Sequence, residues 1–421
     1  MKETDILVIG AGVSGLSFSA QCNSDYYIVE KDNKAGGLCR TFHSKGFVWD
    51  YAGHFFHFAN PNIKAEFENE IQKNDLVKCK KNTNINYNGI SIDYPFQMNI
   101  HELPKDEFID CLYDLFHRPE KKEYRNFEEM LYGKFGKSIT DKFLRPYNEK
   151  LYACDLNELD VDAMGRFFPF ADPIQIIDNM KGNGVKTYNS TFDYPKEGAE
   201  FFVNILLKKI DSNRLKLGST VEKIFPEMKL AVVDGEVIHY KALVNTSPLN
   251  KFLNLLPQEE EYDIKPYLSS NKVLVFNLGF DKEAINKKIH WTYFPMKEIN
   301  FYRCGYYNNI LNTNRLSMYI EIGFKEDEFI DVDKQLEMTL INLKKLGLIS
   351  DHKLIAYNSV LIDPGYVHVT QISNENVKIL KDKLKKHNIF TIGRYGGWKY
   401  CSIEDCMIEA QALANQINME F

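Results

Sequence analysis

The chain has 421 residues, more than one typical core accommodates, so two or three domains are expected. Its 44% hydrophobic and 26% charged residues are ordinary for a globular protein, and a net charge of −6 argues against a broad nucleic-acid surface while leaving room for a local basic pocket. No run approaches the ~20 apolar residues of a membrane span, the polar start does not read as a signal peptide, and the 8 Cys form neither a C-x-x-C pair nor a zinc-spaced set, which suggests a reducing cytoplasm.

Asp5 to Ile9 is apolar and β-branched and predicts a buried strand. Gly10 to Gly15 follows it, and the small and apolar residues from Val13 to Cys22 predict a helix. Tyr26 to Glu30 predicts a second strand, completing a βαβ unit. Glu107 to Lys150 reads as helical, with a charged interruption from Arg118 to Arg125. A helix is predicted from Ala199 to Ile210, reached through Pro195 and Gly198. Strands follow at Thr220 to Phe225, Ala231 to Val233 and Val237 to Val244, with a hairpin at Asp234-Gly235. Lys272 to Phe280 and Ser317 to Gly323 predict strands, and Asp333 to Leu346 a helix. A late strand from Ile389 to Ile392 runs into Gly393–Gly397, then a helix from about Ser402 to Met419. The first and last strands both end in glycine-rich turns, which places both turns at one edge of a sheet.

Gly10-Ala11-Gly12-Val13-Ser14-Gly15 satisfies G-x-G-x-x-G in its required context, after a strand and before a helix. Gly10 permits the tight turn, Gly12 lets a pyrophosphate approach the backbone, and Gly15 allows close helix–strand packing. Val13 and Ser14 are counted with them as cofactor-binding, because the helix N-terminus offers N–H donors to an anion. Glu30 falls about twenty residues on, where a carboxylate accepts from ribose hydroxyls. NAD and FAD share this fingerprint. Lys34-Ala35-Gly36-Gly37-Leu38-Cys39-Arg40 resembles the second glycine motif of the FAD-dependent amine oxidase and mutase superfamily. Its glycines let backbone lie against a cofactor, and Arg40 can meet a phosphate. The resemblance implies FAD. The expected fold is α/β: a Rossmann-like FAD-binding domain assembled from 1–95, 196–260 and 380–421, a mainly helical insertion at 96–195, and an antiparallel-sheet substrate domain at 261–379.

Further segments resemble UDP-galactopyranose mutase, particularly its eukaryotic-type branch. Asp50-Tyr51-Ala52-Gly53-His54-Phe55-Phe56-His57 is similar to the family's glycine–histidine segment beside the flavin. Tyr94-Pro95-Phe96-Gln97 with Asn99 resembles its uracil-binding segment, and Arg145-Pro146-Tyr147-Asn148 a second motif on the uridine side. Phe192-Asp193-Tyr194-Pro195-Lys196, Trp291-Thr292-Tyr293-Phe294-Pro295, Arg303 and Gly365-Tyr366 recur in the family's order. Gly393-Arg394-Tyr395-Gly396-Gly397-Trp398-Lys399-Tyr400 resembles its C-terminal flavin segment. Each match is short; their number and order along most of the chain carry the resemblance.

The resemblance implies flavin contacts from Lys31, Gly37, Leu38, Gly53, His54, Val221, Gly393 and Arg394. Tyr94 and Phe96 as flat faces, with Gln97 and Asn148 as amides, suit a uracil. Arg166 and Arg303 match the family's two phosphate-binding arginines, whose planar forks suit a pyrophosphate. Tyr293, Tyr366 and Tyr400 match tyrosines that hydrogen-bond phosphate oxygens, and Tyr152 sits where relatives often carry Trp. His54 has two readings, a packed structural histidine or one that tunes the flavin N5. The resemblance favours the second and groups His54 with Arg166 and Arg303 as catalytic. Asp405 is a cap partner for the last helix. Glu404 stands where relatives carry an amide, and would repel a pyrophosphate unless turned away.

The activity implied by the resemblance is that of an isomerase interconverting pyranose and furanose forms of a UDP-sugar, first of all UDP-galactose, through covalent attachment of the sugar to reduced FAD at N5. Its partners are a UDP-sugar and a flavin reductant, NAD(P)H or a reductase. The rival classes are an oxidoreductase of the protoporphyrinogen oxidase and amine oxidase type, and a module whose flavin is mainly structural. The glycine motifs fit all three; the uracil and pyrophosphate set separates them.

Overall fold

The computed structural model describes residues 2–119, 121–182, 190–259 and 262–420. Its first sheet is built around the strand Lys2–Ile9, which lies parallel to Glu236–Asn245 on one side and to Tyr26–Val29 on the other. Beyond Tyr26–Val29 comes the short strand Leu215–Lys216. The far side of Glu236–Asn245 is shared by the parallel strand Ile389–Thr391 and by Leu230–Val233, which pairs onward with Val221–Phe225. Parallel strands at the centre are covered on both faces, so the inner half of this strand, Ile6-Leu7-Val8-Ile9, reads as a continuous apolar run rather than an alternating one. Ile6 and Val8 pack under the helices Val13–Ser19, Glu200–Leu207 and Ile403–Glu420, while Leu7 and Ile9 pack with Phe252, Leu380 and Leu384 on the opposite face. Asp234 and Gly235 both have positive φ, as a two-residue hairpin with the right twist requires.

The second sheet runs in the order Leu354–Ile362, Asn271–Phe280, Ser317–Lys325, Arg303–Tyr306, Trp291–Tyr293, Thr83–Tyr87, Ile90–Asp93. All its pairings are antiparallel except that of Trp291–Tyr293 with Thr83–Tyr87. The expected 1–95 segment therefore contributes its last two strands to this sheet, and the strand Leu76–Lys80 pairs with Thr191–Pro195. One face carries Phe276, Leu278, Ile320 and Ile322 and packs with Leu343 of the helix Val332–Lys345. The other face, with Val273, Val275, Trp291 and Tyr319, packs on the helices between residues 105 and 152.

Those helices are Lys105–His117, Phe127–Ile139 and Arg145–Tyr152, the last two joined by a wide turn at Thr140–Leu144. The expected charged interruption falls between the first two. Gly136 has φ +76°, and a Cβ there would lie 2.6 Å from the Asp114 carbonyl oxygen, so the bare glycine lets the two helices meet. Among the described residues no helix is long and apolar enough to cross a membrane.

Candidate functional site

A cavity of about 1080 Å³ starts at the C-terminal ends of the parallel strands and runs to the second sheet. Ile9, Val29 and Thr246 mark its first end, and Trp291, Tyr293 and Arg303 its other. Three glycine turns meet at the first end. A Cβ on Gly15 would lie 2.0 Å from the Gly10 carbonyl oxygen, so the helix after the turn seats on the strand only because that position is bare. Gly12 and Gly37 are in backbone contact, 3.2 Å from the Cα of one to an added Cβ on the other, and Gly36 N–H donates to the Ala11 carbonyl at 2.8 Å. A Cβ on Gly393 would lie 2.4 Å from Ser14 Oγ, which brings the last strand's turn against the first. Gly10, Gly12, Val13, Ser14, Lys31, Gly37, Leu38, Gly53 and Val221 line the cavity, whereas Gly15 and Gly393 support it from behind.

Two charged residues at this end are already engaged. Glu30 is buried and accepts from Ala11 N–H at 2.7 Å and Asp32 N–H at 3.0 Å, so its carboxylate ties the glycine turn to the second strand. Arg40 donates from Nη1 to Asp32 at 2.8 Å and to the Tyr51 hydroxyl at 3.3 Å, from Nε to the Ala35 carbonyl, and from Nη2 to the Lys34 carbonyl. The donors expected to meet a phosphate are spent on the loop that carries Gly36 and Gly37, although Arg40 still lines the cavity.

His54 lies midway, with Nδ1 2.9 Å from the Ala52 carbonyl. Burial pulls its pKa down to about 4 against that hydrogen bond, and the nearby Arg394 and Arg303 charges act in the same direction as burial. The ring is neutral at physiological pH, with its proton on Nδ1. The Arg394 guanidinium stands 4.6 Å from the Tyr400 ring centre and 5.3 Å from that of Tyr366. Its Nη1 reaches the Cys401 carbonyl at 3.5 Å, and its buried Nε has no partner among the described residues.

At the far end Arg303 makes a two-pronged pair with Glu321, Nε to Oε2 at 2.9 Å and Nη2 to Oε1 at 2.6 Å. The two residues face each other in register on neighbouring antiparallel strands. Arg166 also lines the cavity and pairs with Asp405 at 2.6 Å. Asp405 in turn accepts from the Ser402 backbone N–H and hydroxyl and donates its own N–H to Ser402 Oγ, capping the helix Ile403–Glu420. Tyr94 packs on Tyr293, ring centres 4.8 Å apart, and the Lys81 ammonium lies 5.3 Å from the Tyr94 ring. Tyr400 is on the cavity and stacks on Tyr366, against whose ring the buried Tyr152 stands edge-on. Glu404 is turned away from the cavity centre: its carboxylate accepts from Ala59 N–H at 3.0 Å and Asn60 N–H at 2.7 Å.

Three residues of the expected uracil set lie behind the wall rather than on it. Phe96 is fully buried and stacked on Phe143 at 5.1 Å. Gln97 donates to the Pro169 carbonyl and Asn148 to the Leu144 carbonyl, and each keeps a buried amide oxygen without a partner among the described residues. Tyr94 is the member of that set on the cavity. Sequence reasoning does not single out Glu321 or Lys81. The one signal for Glu321 is its position inside an apolar strand run, Met318-Tyr319-Ile320-Glu321-Ile322, where a carboxylate demands a partner.

A parallel sheet whose glycine turns open into a cavity closed by an antiparallel sheet defines a Rossmann-type flavoprotein fold. The residues fit FAD: a bare glycine cradle at a helix N-terminus, an elongated cavity, and an orphaned guanidinium nitrogen partway along it. Residues 8–69 match a family described as NAD(P)-binding Rossmann-like domain. The chain is similar in structure to a reduced UDP-galactopyranose mutase, with a TM-score of 0.92 and 23% identity over 99% of this chain and 94% of that one. It is also similar to an Exiguobacterium protein provisionally assigned as protoporphyrinogen oxidase (TM-score 0.79, 14% identity, 100% and 99% covered). A third similar structure is a cyclohexylamine oxidase from Brevibacterium oxydans (0.71, 11%, 99% of both). In sequence, 49 residues are 43% identical to an inactive all-trans-retinol 13,14-reductase of Danio rerio, spanning 11% of this chain and 8% of that protein.

Proposed function

We propose that the chain is a flavin-dependent nucleotide-sugar mutase of the eukaryotic-type UDP-galactopyranose mutase branch, acting on the pyranose and furanose forms of a UDP-sugar. The observation that carries the reading is the far end of the cavity. Two arginines, Arg166 and Arg303, line the same space as Tyr94, Tyr293 and Tyr400, and each guanidinium is held in place by a carboxylate. Such a set recognises a diphosphate flanked by a flat base. An oxidase acting on an amine or a porphyrin has no need for it.

Reduced FAD supplies the nucleophile when bound. The chain's own residues do the rest. Arg303, prevented from swinging by its fork on Glu321, and Arg166 hold the diphosphate as it leaves and returns. Tyr94 offers a face to the base and Tyr400 a hydroxyl to the phosphates. His54, neutral and with Nδ1 committed to Ala52, presents Nε2 as an acceptor and cannot serve as an acid near pH 7.

The test is anaerobic conversion of UDP-galactofuranose to UDP-galactopyranose by dithionite-reduced protein, followed by chromatography. Conversion that needs reduced flavin, consumes no stoichiometric reductant and is lost in Arg303→Ala supports the reading. Absence of both conversion and UDP binding overturns it, and steady oxygen consumption with an amine or porphyrinogen would move the chain to the oxidoreductase class.

A further inference from the structure

Cys401 lies in the segment that leads from the last parallel strand into the helix Ile403–Glu420 and Cys406 in that helix's first turn, and both line the cavity. Their sulfurs are 3.5 Å apart, in hydrogen-bond contact, and both residues are buried among protein atoms except toward the cavity. A disulfide requires about 2.05 Å between sulfurs, so closing the pair asks for roughly 1.5 Å of approach shared by two side chains. No other sulfur–sulfur contact occurs among the hydrogen bonds of the described residues. We propose that Cys401 and Cys406 are a redox-active dithiol in the cavity wall, closed to a disulfide by hydrogen peroxide, the by-product of flavin reoxidation by dioxygen.

The two thiols are not equivalent. The contact with the Cys401 sulfur, helped by the Ser14 hydroxyl and the Arg394 backbone, holds the Cys406 thiol below the ordinary range against the upward push of burial, while the same contact and burial push Cys401 up. Cys406 is the attacking sulfur. Its thiolate displaces hydroxide from hydrogen peroxide and becomes a sulfenic acid; Cys401 then attacks that sulfur, the S–S bond forms, and water leaves with the Cys401 proton. Two thiols and one peroxide give one disulfide and two waters. Cys39 is also on the cavity, yet no sulfur contact of it occurs among the hydrogen bonds of the described residues, so it has no resolving partner at hand and serves as an internal control.

The loop closed by this bond carries Ser402, Glu404 and Asp405. These are the cap of the last helix, the carboxylate that holds Ala59 and Asn60, and the partner of Arg166. The Cys401 carbonyl also faces Arg394. The redox state of the pair thus acts on Arg166 and Arg394, both on the cavity wall.

The full-length protein carrying its cofactor is treated with hydrogen peroxide, quenched with catalase, and unfolded for thiol counting and tryptic mapping. The fragment from residue 400 to the C-terminus contains both cysteines and no Lys or Arg, so the bond is read within one peptide. Free thiols should fall by two from the 8 of the chain, with that fragment lighter by two hydrogens and restored by a dithiol reductant. Cys401→Ser should stop at a sulfenic acid on Cys406 that dimedone traps, and Cys406→Ser should react at least about tenfold more slowly. A thiol count that stays at 8, or a loss that maps outside this fragment, overturns the proposal. The map is made on the unsubstituted chain, so a variant that fails to fold does not affect it.

Discussion

Single residues of this chain carry geometric duties that leave little freedom. Gly15 is the sharpest case, because the atom an added Cβ would strike belongs to backbone that cannot rotate away. Gly15→Ala should destabilise the protein at the upper end of the roughly 1–3 kcal/mol typical of overpacking, and should be purified without the yellow absorbance of a flavin. His54 gives a pH signature. The unfolded chain takes up a proton near pH 6.5 that the native ring refuses until about 4, so stability from this residue is present above that window and lost as pH falls through it. Melting temperatures at about pH 4.5 and about pH 7 should differ less in His54→Gln than in the unsubstituted chain. An equal difference in both would mean the ring is solvated.

At the scale of elements, buried carboxylates act as rivets between segments distant in sequence. Asp50 ends a strand and accepts from the Thr41 hydroxyl at 2.6 Å, the Tyr194 hydroxyl at 2.7 Å and Ala199 N–H at 3.0 Å, joining a hairpin, the strand Thr191–Pro195 and the helix Glu200–Leu207. Burial pushes its pKa up to about 6 against the pull of those donors. Asp50→Ala strands three donors, at about 1–3 kcal/mol each when buried, and should lower the melting temperature far more than Asp50→Asn, which keeps an acceptor. Glu321 does for Arg303 what Asp405 does for Arg166. Removing it leaves a mostly buried guanidinium unpaired, a loss of about 3–5 kcal/mol in comparable cases. Glu321→Ala should therefore unfold at markedly lower temperature, whereas the double variant Glu321→Ala, Arg303→Ala should recover part of that loss because no charge remains to be orphaned. Failure to recover would show that the pair is not the source of the effect.

For the molecule as a whole, the cavity runs from the C-terminal ends of the parallel strands to the second sheet, lined by segments from residue 9 to residue 407. A ligand bound there touches both sheets and is absent from the unfolded chain, so it raises stability by mass action, about 2.7 kcal/mol at a hundredfold excess over its dissociation constant. Added FAD should raise the melting temperature of cofactor-stripped protein in proportion to the logarithm of its concentration. With FAD present, UDP should raise it further, and Arg303→Ala should abolish the second increment alone. A UDP effect that survives this substitution would place the nucleotide elsewhere.

Features set by a few neighbouring residues were determined by the sequence alone. The glycine turn, the Asp234-Gly235 hairpin, the βαβ unit of the first two strands and the cap at Asp405 follow from local backbone freedom, hydrophobic period and capping chemistry, and each occurs where its residues predict it. The expected meeting of the first and last glycine turns also occurs, but through long-range pairing: both strands lie parallel to Glu236–Asn245, and parallel strands paired to one neighbour end at the same edge. The tertiary structure decided which side of the wall each side chain occupies. Phe96, Gln97 and Asn148 carry the right chemistry for a base, yet packing against Phe143, Pro169 and Leu144 sets them behind it. Arg40 has the charge for a phosphate and spends its donors on its own loop. Glu404 turns from the cavity centre because residues 59 and 60, 344 positions and more away in the chain, arrive with free N–H groups. Arg303 with Glu321 and Arg166 with Asp405 are likewise pairings across the fold. A residue type states what a side chain can do; only the long-range contacts, which no local period encodes, state which partner it meets.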